Sequence, residues 1–179
     1  MEKRKIIGLQ KKKVKLSFYN PEWKKLYKKE EKLLCSAIGK YIRDIQHVGS
    51  TSILGIKSKP IIDIAIGVES LKIGEKCIKP LGKLGYEYKH DAGIKGRHFF
   101  EKGTEKNITH YLHIEKINEK LWKNHIFFRD YLIKHKEAVG EYNKLKERLA
   151  KRYKDDRNTY TMKKESFIKK ILKKVDILK

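Results

Sequence analysis

Cysteine, proline and acidic side chains are all scarce in this chain. Cys35 and Cys77 are its two thiols and have no CxxC spacing, so neither a disulfide framework nor a thiolate zinc site is indicated. No apolar run approaches the ~20 residues that a membrane span requires, which argues against a membrane protein. The opening residues, Met1-Glu2-Lys3-Arg4-Lys5-Ile6-Ile7-Gly8, lack the long apolar region of a signal peptide, and a cytoplasmic protein is expected. No repeat or low-complexity linker divides the 179 residues, so a single domain is expected.

Acid is outnumbered, 22 Asp and Glu against 45 Lys and Arg, for a net charge of +23. Nearly all the excess is lysine, whereas arginine is the usual choice for forked phosphate contacts. The lysines fall on what read as outward helix faces, which makes compositional bias the plain reading. Steering of a polyanion such as RNA, or of an acidic substrate, is the alternative.

What is present is a readable alternation of elements. Residues 1–13 form a basic N-terminal tail, with Val14-Lys15-Leu16-Ser17-Phe18 a short edge strand. Asn20-Pro21-Glu22 combines a capping side chain, a first-turn proline and an early acid, so a helix starts there and runs to Gly39. Strands are expected over Arg43 to Val48, from Pro60 through Val68, over Tyr86 to His90, Arg97 to Lys102 and Asn107 to Lys116. Helices are expected over 74–84, Leu121 to Lys134, Glu137 to Tyr153 and Thr159 to Val175. The class is α/β, of the α+β type, with a helical C-terminal portion.

Strand parity selects candidate residues. Ile62, Ile64, Ile66 and Val68 share one face, and Ile61, Asp63, Ala65 and Gly67 share the other. The second face shrinks from Asp to Ala to Gly, which leaves room for a ligand or a close backbone in front of Ala65 and Gly67, so Asp63 is expected to face a cavity lined by small residues; an ion-paired structural Asp is the bland alternative. On the strand after Thr104, His110, Leu112 and Ile114 point one way and Thr109, Tyr111, His113 and Glu115 the other. His113 and Glu115 can therefore join Asp63 if the two strands are neighbours, while His110 reads as a hydrogen-bonded core or rim histidine. His47, two residues before Gly49, has two open roles: bracing the turn or contacting phosphate. Arg97 and His98 sit where a hairpin can reach over the site, or form a surface pair.

The motifs Asn20-Pro21-Glu22-Trp23, His47-Val48-Gly49-Ser50-Thr51, Lys59-Pro60-Ile61-Ile62-Asp63-Ile64, Arg97-His98-Phe99-Phe100, His110-Tyr111-Leu112-His113 and Phe128-Arg129-Asp130-Tyr131-Leu132 follow the order seen in the GrpB family. The chain resembles that family over about residues 14 to 172. The resemblance implies a nucleotidyltransferase (polymerase-β-like) fold, a mixed β-sheet flanked by helices, occupying residues 14–179. It further implies that Gly49 and Ser50, with Thr51 assisting, hold a nucleotide's phosphates, and that Asp63 is the first metal-ligating carboxylate. The superfamily's second carboxylate is replaced by Ala65, and His113 or Glu115 best matches the third acid. Two-metal phosphoryl transfer holds its cations about 4 Å apart with shared carboxylates. A mixed set of Asp63, His113 and Glu115 would instead hold one divalent ion, magnesium or manganese on the superfamily pattern, or zinc on the strength of the imidazole.

Three functions follow as expectations. The first is a nucleotidyltransferase-like protein that binds an NTP or another phosphorylated small molecule between Gly49-Ser50-Thr51 and Asp63, with Lys57, Lys59 and Arg129 adding positive charge, and that transfers a nucleotidyl group to an acceptor. The second is a non-catalytic nucleotide- or RNA-binding module that has lost the metal pair. The third is a metal-dependent hydrolase built on Asp63, His113 and Glu115.

Overall fold

The computed structural model describes residues 6–177. The Asn20 side chain accepts the Glu22 amide at 3.0 Å, and α1 (Glu22–Ile38) follows. Its inward stripe of Trp23, Tyr27, Leu34 and Ile38 is buried. After a short 3-10 turn come β1 (Asp44–Val48) and β2 (Ile62–Val68), then α2 (Leu71–Glu75), α3 (Ile78–Lys83), β3 (Tyr86–Tyr88), β4 (Arg97–Thr104) and β5 (Asn107–Lys116). Four helices complete the described chain: α4 (Lys120–Lys134), α5 (Lys136–Arg152), α6 (Arg157–Lys163) and α7 (Glu165–Ile177).

The strands form one mixed sheet in the order β1-β2-β5-β4-β3. β2 and β5 run parallel at its centre, and the other neighbours are antiparallel. The register pairs Ile64 with Leu112 and Ile66 with Ile114, so the aliphatic faces read from parity coincide. They pack with Trp23, Leu34, Ile38, Leu81 and Phe100 under α1 and α3. Burying each such side chain stabilises the fold by about 1.5–3 kcal/mol. The opposite face carries Asp63, Tyr111, His113 and Glu115, and α4 with the C-terminal helices lies over it.

Four sequence expectations are corrected. Val14 to Phe18 is no edge strand; its one bridge pairs Ser17 with Ser58, while the Val14 amide bonds the Lys154 carbonyl and its side chain packs with Leu149 and Tyr160. The helix expected over 74–84 is two, because Ser70 caps an earlier start and the chain breaks between Glu75 and Ile78. The helix expected from Thr159 to Val175 also divides, at Lys164, and starts earlier because Asp156 caps α6 by accepting the Thr159 amide. Part of the basic segment is tied down: Gly8 bonds Pro60, Leu9 exchanges two backbone bonds with Ile108, and Lys11 bonds Glu105. Residues 1–5 of that segment, like 178–179, lie outside the described residues.

On the core-side face, burial pushes the imidazoles of His47 and His110 down to about 4. Both are neutral in the folded protein at pH 7, whereas an unfolded chain takes up protons near 6.5. The unfolded state thus binds more protons between about 4 and 6.5, and stability falls as pH drops through that window. Urea midpoints measured from pH 7 to 4 should decrease steadily, and His110→Gln should flatten the slope. A midpoint independent of pH across that range would contradict the assignment.

Candidate functional site

The turn after β1 is built around Gly49, whose φ of +67° and ψ of −173° belong to a region that glycine alone occupies readily. A β-carbon at Gly49 would lie 2.5 Å from Asp63 Oδ2, so the absence of a side chain lets the turn rest against the Asp63 carboxylate. The Ser52 hydroxyl donates to the Gly49 carbonyl at 2.6 Å. Thr51 is buried and paired at 3.0 Å with His47 Nε2, and His47 stacks on Tyr27. These two residues therefore brace the turn from behind, which leaves Ser50 as the hydroxyl on the open side.

The C-terminal helices supply the rest of the site. Lys146, on α5, is 1% exposed, and its ammonium donates to Ser50 Oγ at 3.2 Å and to the Lys57 carbonyl. Tyr142, one helical turn earlier, lies under the Lys146 ammonium at 4.6 Å. Lys164, at the junction of α6 and α7, sits 4.6 Å over the Tyr160 ring, and Lys59 reaches the same ring at 5.5 Å. Lys59 also faces Tyr111, whose hydroxyl accepts from Arg157 at 2.5 Å. Lys146 thus meets the serine turn directly, while Lys59 and Lys164 lie close enough to Asp63 to act on its charge.

The electrostatics follow from that crowding. Burial, and then repulsion from Lys164 and Arg157, holds Lys59 well below the ordinary lysine range. Burial brings Lys164 down to about 8, with Asp63 pulling the other way. Burial and the neighbouring Lys164 and Lys59 lower Lys146 as well. For Asp63, burial alone would raise the carboxyl, but His113 beside it, with Lys59 and Lys164, holds it below the usual range. A pocket of mutually repelling cations around one anion gains electrostatically from a second anion.

His113 Nε2 lies 3.9 Å from Asp63 Oδ1, and its Nδ1 faces Arg97 Nη1 at 3.1 Å. Arg97 therefore does reach over this face of the sheet. Glu115 is placed opposite Gly67 and pairs with His125 of α4 at 3.2 Å, which separates it from Asp63. The expected set of Asp63, His113 and Glu115 is thus split, with His113 between the two carboxylates.

Other expected residues sit elsewhere. His98 points to the core-side face, bonding Tyr88 and the Leu71 carbonyl. His110 lies on that face too, 3.9 Å from Glu30. Arg129 bonds Asp130, Gln46 and the His47 carbonyl, so it fastens α4 to β1. The Lys57 ammonium pairs with Glu147 and lies over Phe18. The room read in front of Ala65 and Gly67 is filled. Ala65 is buried with Val48 and Trp122, and Ile117 comes within 2.9 Å of where a Gly67 β-carbon would stand.

Sequence reasoning missed Lys146, Lys164, Arg157 and His125. One signal was available for Lys146: it falls on the apolar stripe of α5, among Ala138, Tyr142 and Leu149. A lysine in that phase of an amphipathic helix points inward.

The comparisons agree with this architecture. A family model described as GrpB protein matches residues 13–174. The glutamate-rich protein GrpB of Alkalihalophilus pseudofirmus is 42% identical over 171 residues, 93% of this chain and 98% of that protein. YqkA of Bacillus subtilis is 36% identical over 89% of this chain, which spans 46% of YqkA. Among solved structures, GrpB of Enterococcus faecalis superposes with a TM-score of 0.82 at 31% identity, covering 89% of this chain and 96% of that one. Cid1, solved in complex with its short product ApU, matches with a TM-score of 0.51 at 13% identity over 76% of this chain and 43% of its own, a likeness of fold alone. The sheet and its helices accordingly share the α+β fold of these two proteins. With its family motifs in register along the sheet and a family model spanning nearly the whole of it, this chain belongs to the GrpB family.

Proposed function

We propose that this protein binds a nucleotide or another phosphorylated ligand at the Gly49–Ser50 turn, with the phosphate charge met by Lys146, Lys59 and Lys164. The observation that carries this reading is the buried Lys146 ammonium at 3.2 Å from Ser50 Oγ, on a turn packed against Asp63. Cid1, which shares the fold, was solved with its short product ApU, and this adds support for a nucleotide.

The superfamily's two-cation arrangement does not fit these residues. The place of its second carboxylate is Ala65, buried against Val48 and Trp122, where no ligand group can approach. In the proposed site, lysine ammonium groups take over the charge compensation, and no step is routed through a metal pair. Asp63, with a side chain 29% exposed and ionised at neutral pH, lies next to the turn. It is placed to accept a proton from an acceptor hydroxyl, the role a nucleotidyl transfer would ask of it.

Calorimetric titration with inorganic pyrophosphate and with ATP, in the presence of chelator, tests the reading. Saturable binding at one site is expected, weakened tenfold or more by Lys59→Ala combined with Lys164→Ala. Absence of binding, or affinity unaffected by that double substitution, would refute it. A parallel incubation with labelled NTP and cell extract measures transfer, which Asp63→Asn should abolish.

A further inference from the structure

The geometry points to a transition-metal site formed by His113, Glu115 and His125, separate from the phosphate-binding turn, with the Arg97 guanidinium against its His113 imidazole. One ligating atom from each of the three residues lies within 4.8 Å of the other two. They come from two elements packed face to face, His113 and Glu115 from the same side of β5 and His125 from α4. A tetrahedral ion wants its ligand atoms about 3.3 Å apart, a closure that small side-chain rotations supply.

An independent observation concerns Glu115 itself. Its side chain is 1% exposed, and while Oε1 pairs with His125, Oε2 is buried with no hydrogen-bond partner. Buried carboxylate oxygens are nearly always satisfied, because an unpartnered one forfeits its hydration without replacement. A cation held between Glu115 and the two imidazoles would satisfy it.

Arg97 marks where positive charge already sits. It is directly opposite Glu115 in the sheet register, and its Nη1 donates toward His113 Nδ1 at 3.1 Å. The lone pair of that nitrogen therefore points at a cation now, and its Nε2 side faces the Asp63 carboxylate at 3.9 Å. This is the usual disposition of a metal-binding imidazole, with one nitrogen on the ion and the other toward a carboxylate. Arg97 Nε donates to the Asp91 carbonyl of the β3–β4 connection at 2.9 Å, so the guanidinium is held at His113 from outside the three ligating residues. Two imidazoles and one carboxylate suit zinc, cobalt, nickel or manganese better than magnesium or calcium. Three protein ligands leave a fourth position for water or substrate, and the partly exposed His125, 29% by side chain, lies on the solvent side.

The site rests on residues other than those that meet phosphate, so its test is independent. Untagged, chelator-stripped protein is titrated with Co²⁺ and followed by its visible d–d absorption, then back-titrated with Zn²⁺. One equivalent of Co²⁺ should bind, with displacement by Zn²⁺ and none by Mg²⁺. His125→Gln, at a partly exposed position where the amide can still donate to Glu115, should keep the wild-type circular-dichroism melt and pyrophosphate affinity while Co²⁺ affinity falls at least tenfold. Arg97→Gln should bind Co²⁺ several-fold more tightly, because the competing guanidinium is gone. No saturable absorption in either the wild type or Arg97→Gln, or wild-type affinity in His125→Gln, would overturn the assignment.

Discussion

Replacing Lys146 by methionine is expected to reduce pyrophosphate affinity tenfold to a hundredfold while leaving the fold at least as stable. Among the described residues the ammonium is the one cation hydrogen-bonded to the turn by its side chain, through Ser50 Oγ, and it is almost wholly removed from solvent. Losing a charge-assisted hydrogen bond to the ligand costs about 1.5–3 kcal/mol, and each 1.4 kcal/mol is a factor of about ten. Stability moves the other way. Burial and two neighbouring lysines disfavour the charged form of Lys146, and methionine fills nearly the same volume without that penalty, which offsets the donor lost to the Lys57 carbonyl.

The same physics sets an alkaline trend. Lys59, Lys146 and Lys164 are all held below the ordinary lysine value of 10.5, with Lys164 at about 8. Between those values the unfolded chain binds more protons than the folded one, so ligand-free stability rises with pH from about 8 toward 10. Lys164 alone contributes about 1–2 kcal/mol, allowing for its partial contact with solvent. Thermal melts at stepped pH should show this rise, with a shallower slope in Lys146→Met. Melting temperatures that fall from pH 8 to 10, or a Lys146→Met protein that binds pyrophosphate like the wild type, would contradict the role given to the lysine cluster.

Gly49→Ala is expected to destabilise the protein by about 2–4 kcal/mol and to abolish binding at the turn. Part of the cost is the backbone conformation, unfavourable for any L side chain at φ +67° and ψ −173°. The remainder is overpacking, because the new methyl would lie 2.5 Å from Asp63 Oδ2 and 2.9 Å from its Cβ. Moving Asp63 aside would in turn disturb its approach to His113. Gly39→Ala is the control: its φ of −52° is helical and no atom lies within 4 Å of an added β-carbon. Urea denaturation should place Gly49→Ala well below the wild type and Gly39→Ala at or slightly above it. Equal midpoints for the two variants would show that the turn is not held as described.

These effects divide between what was legible in the amino-acid order and what was not. The cap at Asn20, the two-residue alternation of β2 and β5, and the glycine turn are near-neighbour features, and each appears in the structure, whereas the Asp156 cap, which starts its helix earlier than the hydrophobic period implied, was not read from the sequence. The parity of Asp63 and His113 was readable for the same reason: alternation is a property of one strand, and it needed only that β2 and β5 be neighbours. The reading of Ala65 and Gly67 as open space failed because it counted one face of one strand. Trp122 and Ile117, arriving from 50 or more residues later, fill that face.

The sequence by itself determined the α+β class, the core face, the Gly49–Ser50 turn and the side of the sheet on which Asp63 stands. Only the tertiary structure decided which charges surround it. Ser50 and Lys146 are 96 residues apart, and Glu115 meets a histidine on another element. Whether a lysine on an amphipathic helix faces solvent or a pocket is a matter of about 100° of rotation per residue. That phase is settled by how α5, α6 and α7 pack across the sheet, not by the composition of the helices themselves. Packing therefore turns part of a lysine-rich surface into a buried ammonium, Lys146, on the serine turn and two partly buried ones, Lys59 and Lys164, beside a single carboxylate.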